Sequence, residues 1–290
     1  MRVVITGANG YIGSHVVARL AELGGYGIMS VSTTSTRNDD LVKKHSDLFI
    51  KNYNGGYNRF VGKGDILVHL GGYISVEESM RDPMKYYKGN THATIDYIDK
   101  YKFDNMVFAS TAACFDPVSH YAKSKLACEE VIKGCVDNYT IFRFFNVAGI
   151  NPGHFYVNPT THIISKIAEC AVNKETFTFN GNDFDTCDGT CVRDYVDIND
   201  LVESIVLAIN KPANTDYECL GTGNGFSNMA VFKTMEFAIQ KHIDYDIGPR
   251  RPGDPPKLVV EERSDYFTQT RSLEDMCKST YGYFKNLKNQ

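Results

Sequence analysis

A glycine-rich turn near the start of the chain constrains its fold more than any other stretch. The segment TGANGYIGSH, residues 6–15, lies between a β-branched run at residues 2–6 and a helical spacing of apolar residues at 16–23. Glycines in such a turn let the backbone approach a pyrophosphate closely, where helix N–H groups attract anions. The order strand, turn, helix therefore predicts a dinucleotide-binding unit, in which Gly7 and Gly10 let the backbone approach the diphosphate and Gly13 lets the helix pack against the strand.

Further strands are predicted at Tyr26–Ser32, Asp65–Gly71, Asn105–Thr111 and Asn138–Gly149, with helical patterns between most of them. Apolar strands that alternate with helices indicate a parallel sheet covered on both faces. We therefore predict an α/β fold, a doubly wound parallel Rossmann sheet with a smaller C-terminal substrate-binding lobe. The expected division is a dinucleotide-binding domain at 1–150, with a return segment near 192–220, and a substrate lobe mainly at 151–290.

Composition narrows the range of partners. A formal net charge of −4 does not favour binding to a polyanion, so we expect no nucleic acid partner. The apolar runs are too short to cross a membrane and the N-terminus has no signal-peptide pattern, which predicts a soluble, cytoplasmic protein without membrane partners. The eight cysteines show no C-x-x-C spacing, and we expect reduced, packed thiols and no metal site.

A possible proton-transfer site follows the strand NMVFAST. Thr111 ends this strand, and Tyr121 and Lys125 of YAKSK stand four residues apart, on one face of a helix. An ammonium beside a phenol favours the phenolate and is expected to lower the pKa of Tyr121, so that Tyr121 removes a proton from an alcohol with help from Thr111. Tyr281 and Lys285 have the same spacing but follow no such strand, and we assign them to helix surface.

Several segments, in order, carry a resemblance to a known family. They are TGANGYIGSH, HLGGYISVEESMRDPMKYYKGN, FASTAACF, YAKSK, FRFFNVAGINP, DGTCVRDYVDINDL, LGTGNGFSN and RRPGD. Together they resemble the extended short-chain dehydrogenase/reductases, and most closely the UDP-galactose (UDP-glucose) 4-epimerases of that family. The resemblance implies NAD-dependent epimerisation at the 4-position of a UDP-hexose through a 4-keto sugar, and a homodimer.

The resemblance also assigns residues to the cofactor. Lys125 would hold Tyr121 and the nicotinamide ribose, and Asn90 would lie near the cofactor, although an asparagine at a helix end also makes purely local bonds. The complete set of predicted cofactor-binding residues is Gly7, Gly10, Tyr11, Ile12, Gly13, Ser32, Arg37, Asn52, Leu70, Gly71, Asn90, Ser110, Tyr121 and Lys125.

For the nucleotide sugar, the resemblance points to Thr111 and to residues in the C-terminal part: Asn146, His162, Arg193, Arg251, Asp254 and Leu258. The fork of an arginine suits a diphosphate. Alternatives remain open: Arg193 forms an ion pair with Asp194 or Asp197, and Arg251 is a solvated loop charge. In the family, the residue at the position of Leu258 limits the space around the sugar. A residue other than tyrosine there would admit N-acetylated sugars.

Two departures bear on the reaction and the cofactor. Thr111 is followed by Ala112 and Ala113, whereas related dehydratases and decarboxylases carry an acid there, so the sequence favours epimerisation. After the second strand the expected Asp or Glu is missing, and the hydroxyl-rich STTSTR with Arg37 leaves NADP open. The alternatives are therefore an NADP-dependent keto-sugar-nucleotide reductase and a non-catalytic dinucleotide-binding protein.

Overall fold

The computed structural model describes residues 1–51, 65–151, 162–251 and 253–289. Its strands are β1 (Arg2–Thr6), β2 (Gly27–Ser32), β3 (Leu48–Lys51), β4 (Asp65–His69), β5 (Asn105–Thr111), β6 (Tyr139–Phe144), β7 (Asn146–Ala148), β8 (Phe177–Asn180), β9 (Val192–Asp197), β10 (Glu218–Leu220), β11 (Gly225–Ser227), β12 (Tyr245–Gly248) and β13 (Lys257–Leu258).

The helices are α1 (Tyr11–Leu23), α2 (Asp39–His45), α3 (Val76–Arg81), α4 (Pro83–Tyr86), α5 (Ala93–Lys100), α6 (His120–Cys135), α7 (Ile163–Asn173), α8 (Ile198–Asn210), α9 (Asn228–Ile239) and α10 (Leu273–Lys288). A π-helical segment, Tyr87–His92, joins α4 to α5, and a 3₁₀ turn, Ala112–Phe115, follows β5. Among the described residues, no helix is both long enough and apolar enough to span a bilayer.

The chain divides into two compact units. The first comprises Met1–Phe144 and Val202–Glu218, and the second comprises Phe145–Leu201 and Cys219–Gln290. In the first unit the strands follow the order β3-β2-β1-β4-β5-β6, all paired in parallel. This order is that of a doubly wound dinucleotide-binding sheet, and it confirms the predicted fold class.

Burial explains why these residues form the central strands. All five residues of β4 are buried, and Val3, Val4 and Ile5 of β1 have no exposed surface. Strands covered on both faces read as continuous apolar runs rather than as an alternation. The parallel arrangement brings the carboxyl ends of β1, β2, β4 and β5 to one edge of the sheet, where doubly wound proteins bind ligands.

The second unit has its own core around a smaller sheet. Strand β9 is flanked by β11 and β13 and also pairs with β7, while β8 and β12 form a separate parallel pair. Helices α7, α9 and α10 enclose aromatic and sulfur-containing side chains, which include Phe177, Phe179, Phe232, Met235 and Met276.

Two details of the strand prediction are wrong. The run at 138–149 is two strands: β6 belongs to the large sheet, whereas β7 pairs with β9, and Phe145 separates them. Strand β3 was not predicted, because it is a short edge strand in which only Ile50 is buried, and so it lacks a strong apolar pattern.

Candidate active site

The glycine turn approaches neighbouring backbone too closely for larger residues. Gly7 has a φ of +65°, and a Cβ on it would lie 2.9 Å from Gly71 Cα. A Cβ on Gly13 would lie 2.2 Å from the Gly7 carbonyl oxygen. Helix α1 begins at Tyr11 after Gly10, which supplies no side-chain cap, so no side chain covers this end of the helix from the capping position. These features fit the close approach of a diphosphate.

A chain of hydrogen bonds joins the ends of β1 and β4. Gly71 N donates to Thr6 Oγ1 (3.0 Å), which is bonded to His69 Nδ1 (2.7 Å). On its other side, His69 Nε2 is bonded to Thr94 Oγ1 (3.1 Å), which donates to the Asn90 carbonyl (2.8 Å). Because Thr94 gives its hydroxyl proton to the Asn90 carbonyl, it can only accept from His69, so the proton of the neutral ring lies on Nε2 and Thr6 donates to Nδ1. Burial, aided by the charge of Lys125, lowers the pKa of His69 to about 3, so the ring is neutral.

Asn90 fixes the segment that follows β4. Its Oδ1 accepts from Tyr73 N (2.8 Å), and its Nδ2 donates to the Tyr73 carbonyl (3.0 Å) and to Ser124 Oγ (3.0 Å). Asn90 is 1% exposed. The alternative of a purely local helix-end bond is wrong, because the partners lie far away in sequence and one of them is on α6.

Lys125 lies buried beneath the end of β5. Its Nζ donates to the Ala109 carbonyl (2.8 Å) and stands 4.6 Å from the centre of the Phe108 ring. A Cβ on Gly72 would come within 3.4 Å of the same Nζ, so only a small residue leaves the ammonium room on that side. Burial lowers the pKa of Lys125.

Tyr121 and Thr111 are brought together by the first turn of α6 and the last residue of β5. Burial raises the pKa of Tyr121 to about 12, although the nearby Thr111 side chain favours the phenolate and opposes this shift. The prediction that the Lys125 ammonium lowers the pKa of Tyr121 is wrong for this arrangement. Lys125 is bound to Ala109, and desolvation is the largest influence on the phenol.

A buried ion pair between Arg143 and Glu129 is bonded to Ser110, the neighbour of Thr111 in β5. Arg143 Nε and Nη2 donate to the two carboxylate oxygens of Glu129 (3.0 and 2.6 Å), and Ser110 Oγ donates to Glu129 Oε1. The guanidinium carbon of Arg143 also lies 3.7 Å from the centre of the Tyr217 ring and 4.9 Å from that of Phe115. The hydroxyl of Ser110, a predicted cofactor ligand, is thus committed to Glu129.

Other predicted cofactor residues lie at the same edge of the sheet. Tyr11 and Ile12 open α1, and Leu70 and Gly71 follow β4. Ser32 ends β2 and accepts a hydrogen bond from Asn9 N (3.2 Å), and Arg37 is exposed. Asn52 lies outside the described residues.

The second unit contains a cavity of about 510 Å³, within the range typical of small-ligand sites. Five of the predicted substrate residues line it, namely Asn146, His162, Arg193, Arg251 and Asp254. Leu258 is not among the lining residues, but β13 places its Cα opposite that of Arg193. Residues 193 and 254 come from a sheet strand and from the RRPGD turn, so the fold assembles the cavity from distant segments.

In this cavity, Arg193 has a backbone partner and one distant carboxylate, and His162 is uncharged near neutral pH. Arg193 donates through Nη1 to the Val192 carbonyl (2.9 Å), and its Nη2 lies 4.0 Å from Asp254 Oδ1. The alternative ion pairs of Arg193 are wrong for the described residues. Asp194 accepts from Thr222 and Gly223, and Asp197 faces Arg271 at 3.7 Å. Burial lowers the pKa of His162, so it adds no charge near neutral pH.

Several residues of the site were not identified from the sequence. Asn9, Thr94, Glu129 and Arg143 have no motif of their own, because their roles arise from partners that lie far along the chain. His69 had a usable signal, since it ends a buried strand and therefore stands at the ligand-binding edge of the sheet.

The doubly wound fold and the residues at the carboxyl edge of its sheet are those of a dinucleotide-dependent enzyme. The model of the NAD dependent epimerase/dehydratase family matches residues 3–219, and the chain belongs to this family. Among curated proteins, it is similar to a UDP-glucose 4-epimerase from Lactobacillus helveticus, with 32% identity over 90% of this chain and 88% of that protein.

Solved structures agree with this assignment. The chain resembles the UDP-glucose 4-epimerase from Brucella ovis, crystallised in complex with NAD, with a TM-score of 0.85, 25% identity and 98% of both chains covered. It also resembles the UDP-Glc/GlcNAc 4-epimerase from Campylobacter jejuni, with a TM-score of 0.77 and 27% identity over 98% of this chain and 99% of that one.

Proposed function

We propose that this protein is an isomerase that uses NAD to interconvert UDP-hexoses at the 4-position of the sugar. The observation that carries the proposal is the placement of Thr111, Tyr121 and Lys125 at the ligand-binding edge of a doubly wound sheet, where the Thr111 side chain acts on the pKa of the Tyr121 phenol and Lys125 is anchored to the Ala109 carbonyl. Membership of the NAD dependent epimerase/dehydratase family and similarity to UDP-glucose 4-epimerases over most of the chain support it.

The residues present fit a dinucleotide. Gly7, Gly10 and Gly13 let the turn before α1 fold tightly on itself and against Gly71, where Cβ atoms would collide with backbone. This turn would hold the diphosphate, Lys125 would hold the nicotinamide end, and Asn90 would position the backbone at Tyr73 beside it. When bound, oxidised NAD supplies a hydride acceptor that returns the hydride, and its positive charge favours the phenolate form of a nearby tyrosine.

The chain's own side chains manage the proton. Tyr121 would accept the proton of the sugar 4-hydroxyl, and Thr111 would hydrogen-bond the same oxygen and keep it aligned with the phenol. Tyr121 returns the proton when the alcohol forms again. Lys125 holds the end of β5 in place through the Ala109 carbonyl and adds a positive charge behind the phenol.

The surroundings of Thr111 argue against elimination or decarboxylation. Ala112 and Ala113, which start the 3₁₀ turn, bring no carboxylate to the reacting carbon. Glu129 is buried and bound by Arg143 and Ser110, so it is not available as an acid. A site with only a proton-transfer pair suits epimerisation, in which nothing is eliminated.

The cavity of the second unit would hold the nucleotide diphosphate. Arg193 and Arg251 supply the cations for the two phosphates, while Asn146, His162 and Asp254 supply polar contacts. Leu258 would lie beside the sugar and leave room for an N-acetyl group. In this division of labour, the first unit serves the dinucleotide and the second unit, which includes Asn146 and Arg193, serves the substrate.

A homodimer in the cytoplasm completes the proposal. The dimer follows from the resemblance to the epimerases, and light scattering on the purified protein, which gives its molar mass in solution, tests it. A mass near that of one 32.5 kDa chain would contradict it.

Proton NMR on the purified protein tests the reaction. UDP-galactose is incubated first with protein alone and then with added NAD, and we expect the signals of UDP-glucose to grow in one or both cases. Conversion without added NAD means that oxidised cofactor accompanies the protein. No conversion in either case, with N-acetylated substrate also unchanged, would overturn the proposal.

A further inference from the structure

The segment Thr33–Arg37, which follows β2 and is named the arch here, is closed on a single residue of the glycine turn. Asn9 N donates to Ser32 Oγ (3.2 Å) just before the arch, and Asn38 Nδ2 donates to the Asn9 carbonyl (3.2 Å) just after it. Within the arch, Asn9 Nδ2 donates to the Thr34 carbonyl (2.6 Å). The arch is therefore held against the turn that would carry the cofactor diphosphate.

The outward side of the arch is rich in donors. Thr33, Ser35 and Arg37 are exposed, whereas Asn38 is buried and also donates to Ser14 Oγ (2.9 Å). Among the described residues, Arg37 has neither an ion-pair nor a hydrogen-bond partner. The arch thus carries an unpaired guanidinium and hydroxyl groups on a loop whose backbone is fixed.

A carboxylate that would select the 2′-hydroxyl of adenosine is missing from this position. The first acidic residues after β2 are Asp39 and Asp40. Asp39 Oδ1 accepts from Asn9 Nδ2 (2.7 Å) and Thr36 N (3.2 Å), and its Oδ2 is paired with Lys51 Nζ (2.7 Å). Burial opposes ionisation of Asp39, but bonds from Asn9 and Lys51 outweigh it and lower the pKa of this carboxyl. Its charge is therefore present but compensated, and it faces partners within the protein.

We propose that the arch accepts a phosphate on the 2′-position of the adenosine ribose, with Arg37 as the residue that binds it. The protein then takes NADP as well as NAD into the dinucleotide site assigned under the proposed function, on which this inference rests. In doubly wound proteins a carboxylate at this point selects the hydroxyl, whereas a nearby arginine accommodates the phosphate. Here the carboxylate is missing, and the arginine, Arg37, has no partner among the described residues.

Isothermal titration with nucleotides measures this selectivity without catalysis. After removal of copurified dinucleotide, the protein is titrated with NAD, with NADP, and with the fragments 5′-AMP and adenosine 2′,5′-bisphosphate. We expect a Kd for NADP within tenfold of that for NAD, and tighter binding of the bisphosphate than of 5′-AMP. Epimerisation of UDP-galactose is measured on the same preparation, so that the two proposals are scored separately.

Two variants localise the effect. Arg37→Ala should weaken NADP and the bisphosphate at least tenfold and change the Kd of NAD less than threefold, because only the 2′-phosphate loses a charge-assisted bond. Thr33→Asp, at an exposed position, should weaken NADP more than NAD by charge repulsion. Lys44→Ala removes one exposed cation from α2 outside the arch and should leave both Kd values within twofold.

Each outcome decides the inference. A Kd for NADP more than tenfold above that for NAD overturns it, and active epimerisation in that sample leaves the proposed function standing. Equal effects of Arg37→Ala and Lys44→Ala on NADP also overturn it, since the contribution would then be general charge. If neither dinucleotide binds and no sugar is converted, both the inference and the proposed function fail.

Discussion

Lys125 donates a hydrogen bond to the carbonyl oxygen of Ala109, 2.8 Å away, although it stands one helical turn from Tyr121. This contact ties α6 to β5 at Ala109, the residue that precedes Ser110 and Thr111. Lys125 is thus a link between two elements, and burial of the phenol, which is the largest influence on Tyr121, keeps it protonated.

Tyr121→Phe should abolish epimerisation and leave the fold intact. The phenol is the proposed proton carrier, and loss of such a group commonly costs about 10²- to 10⁴-fold in rate. Turnover of UDP-galactose by NMR gives the rate, and thermal unfolding and NAD titration show that folding and cofactor binding persist. A variant that retains more than a tenth of the activity would contradict the assigned role.

Ionisation of Tyr121 should begin far above neutral pH in the protein without dinucleotide. Its pKa is raised to about 12 from an ordinary value of 10.0, so the protonated phenol is favoured by the fold. The contribution of protonated Tyr121 to the free energy of unfolding is therefore fully present below pH 10 and is lost as the pH rises towards 12.

The absorbance difference at the phenolate band between wild type and Tyr121→Phe follows this titration. Added NAD should shift the titration to lower pH. If the difference titrates below pH 10 without dinucleotide, burial does not dominate at this phenol.

Glu129→Gln should destabilise the first unit strongly. The change leaves Arg143 buried without a countercharge, and breaking a buried pair in this way costs about 3–5 kcal/mol. Urea denaturation measures the change in free energy of unfolding. The double variant Glu129→Gln/Arg143→Met removes both charges and should recover part of the loss, whereas a single-variant cost below about 1 kcal/mol would show that the pair is not strongly coupled.

Gly13→Ala should weaken NAD binding at least tenfold, because the new methyl would collide with the Gly7 carbonyl and displace the turn. Gly134→Ala, in the last turn of α6, is the matched control. Outside its own turn of the helix, no atom of the described residues lies within 4 Å of its Cβ position, and removing a helical glycine stabilises by about 0.5–1 kcal/mol. Calorimetric titration gives both affinities, and equal Kd values for the two variants would argue against a diphosphate at the turn.

Arg193→Ala should raise the KM for UDP-galactose about tenfold or more and lower kcat much less. An arginine that binds a diphosphate remote from the reacting carbon holds substrate and transition state alike, so its loss appears mainly in KM. Lys278→Ala, an exposed cation on α10 paired with Glu274, is the control and should leave KM unchanged. A fall in kcat alone would place Arg193 in another role.

The sequence by itself determined the doubly wound fold and the glycine turn, and it singled out Thr111, Tyr121 and Lys125 as the proposed proton-transfer set. Each is a local pattern: the apolar runs are continuous because both faces of the sheet are covered, and the turn and the helix spacing lie within a few residues. The absence of an acidic residue directly after β2 is also a local feature of the sequence, and it motivates the proposal that the arch accepts NADP.

Only the tertiary structure decided how distant residues interact. The link from Thr6 through His69 to Thr94, the pair Glu129–Arg143 and the closure of the arch on Asn9 join segments that no sequence period connects. The pKa of Tyr121 also depended on it, because desolvation and the partner chosen by Lys125 are properties of packing, and packing outweighed the charge that the helical spacing alone suggested.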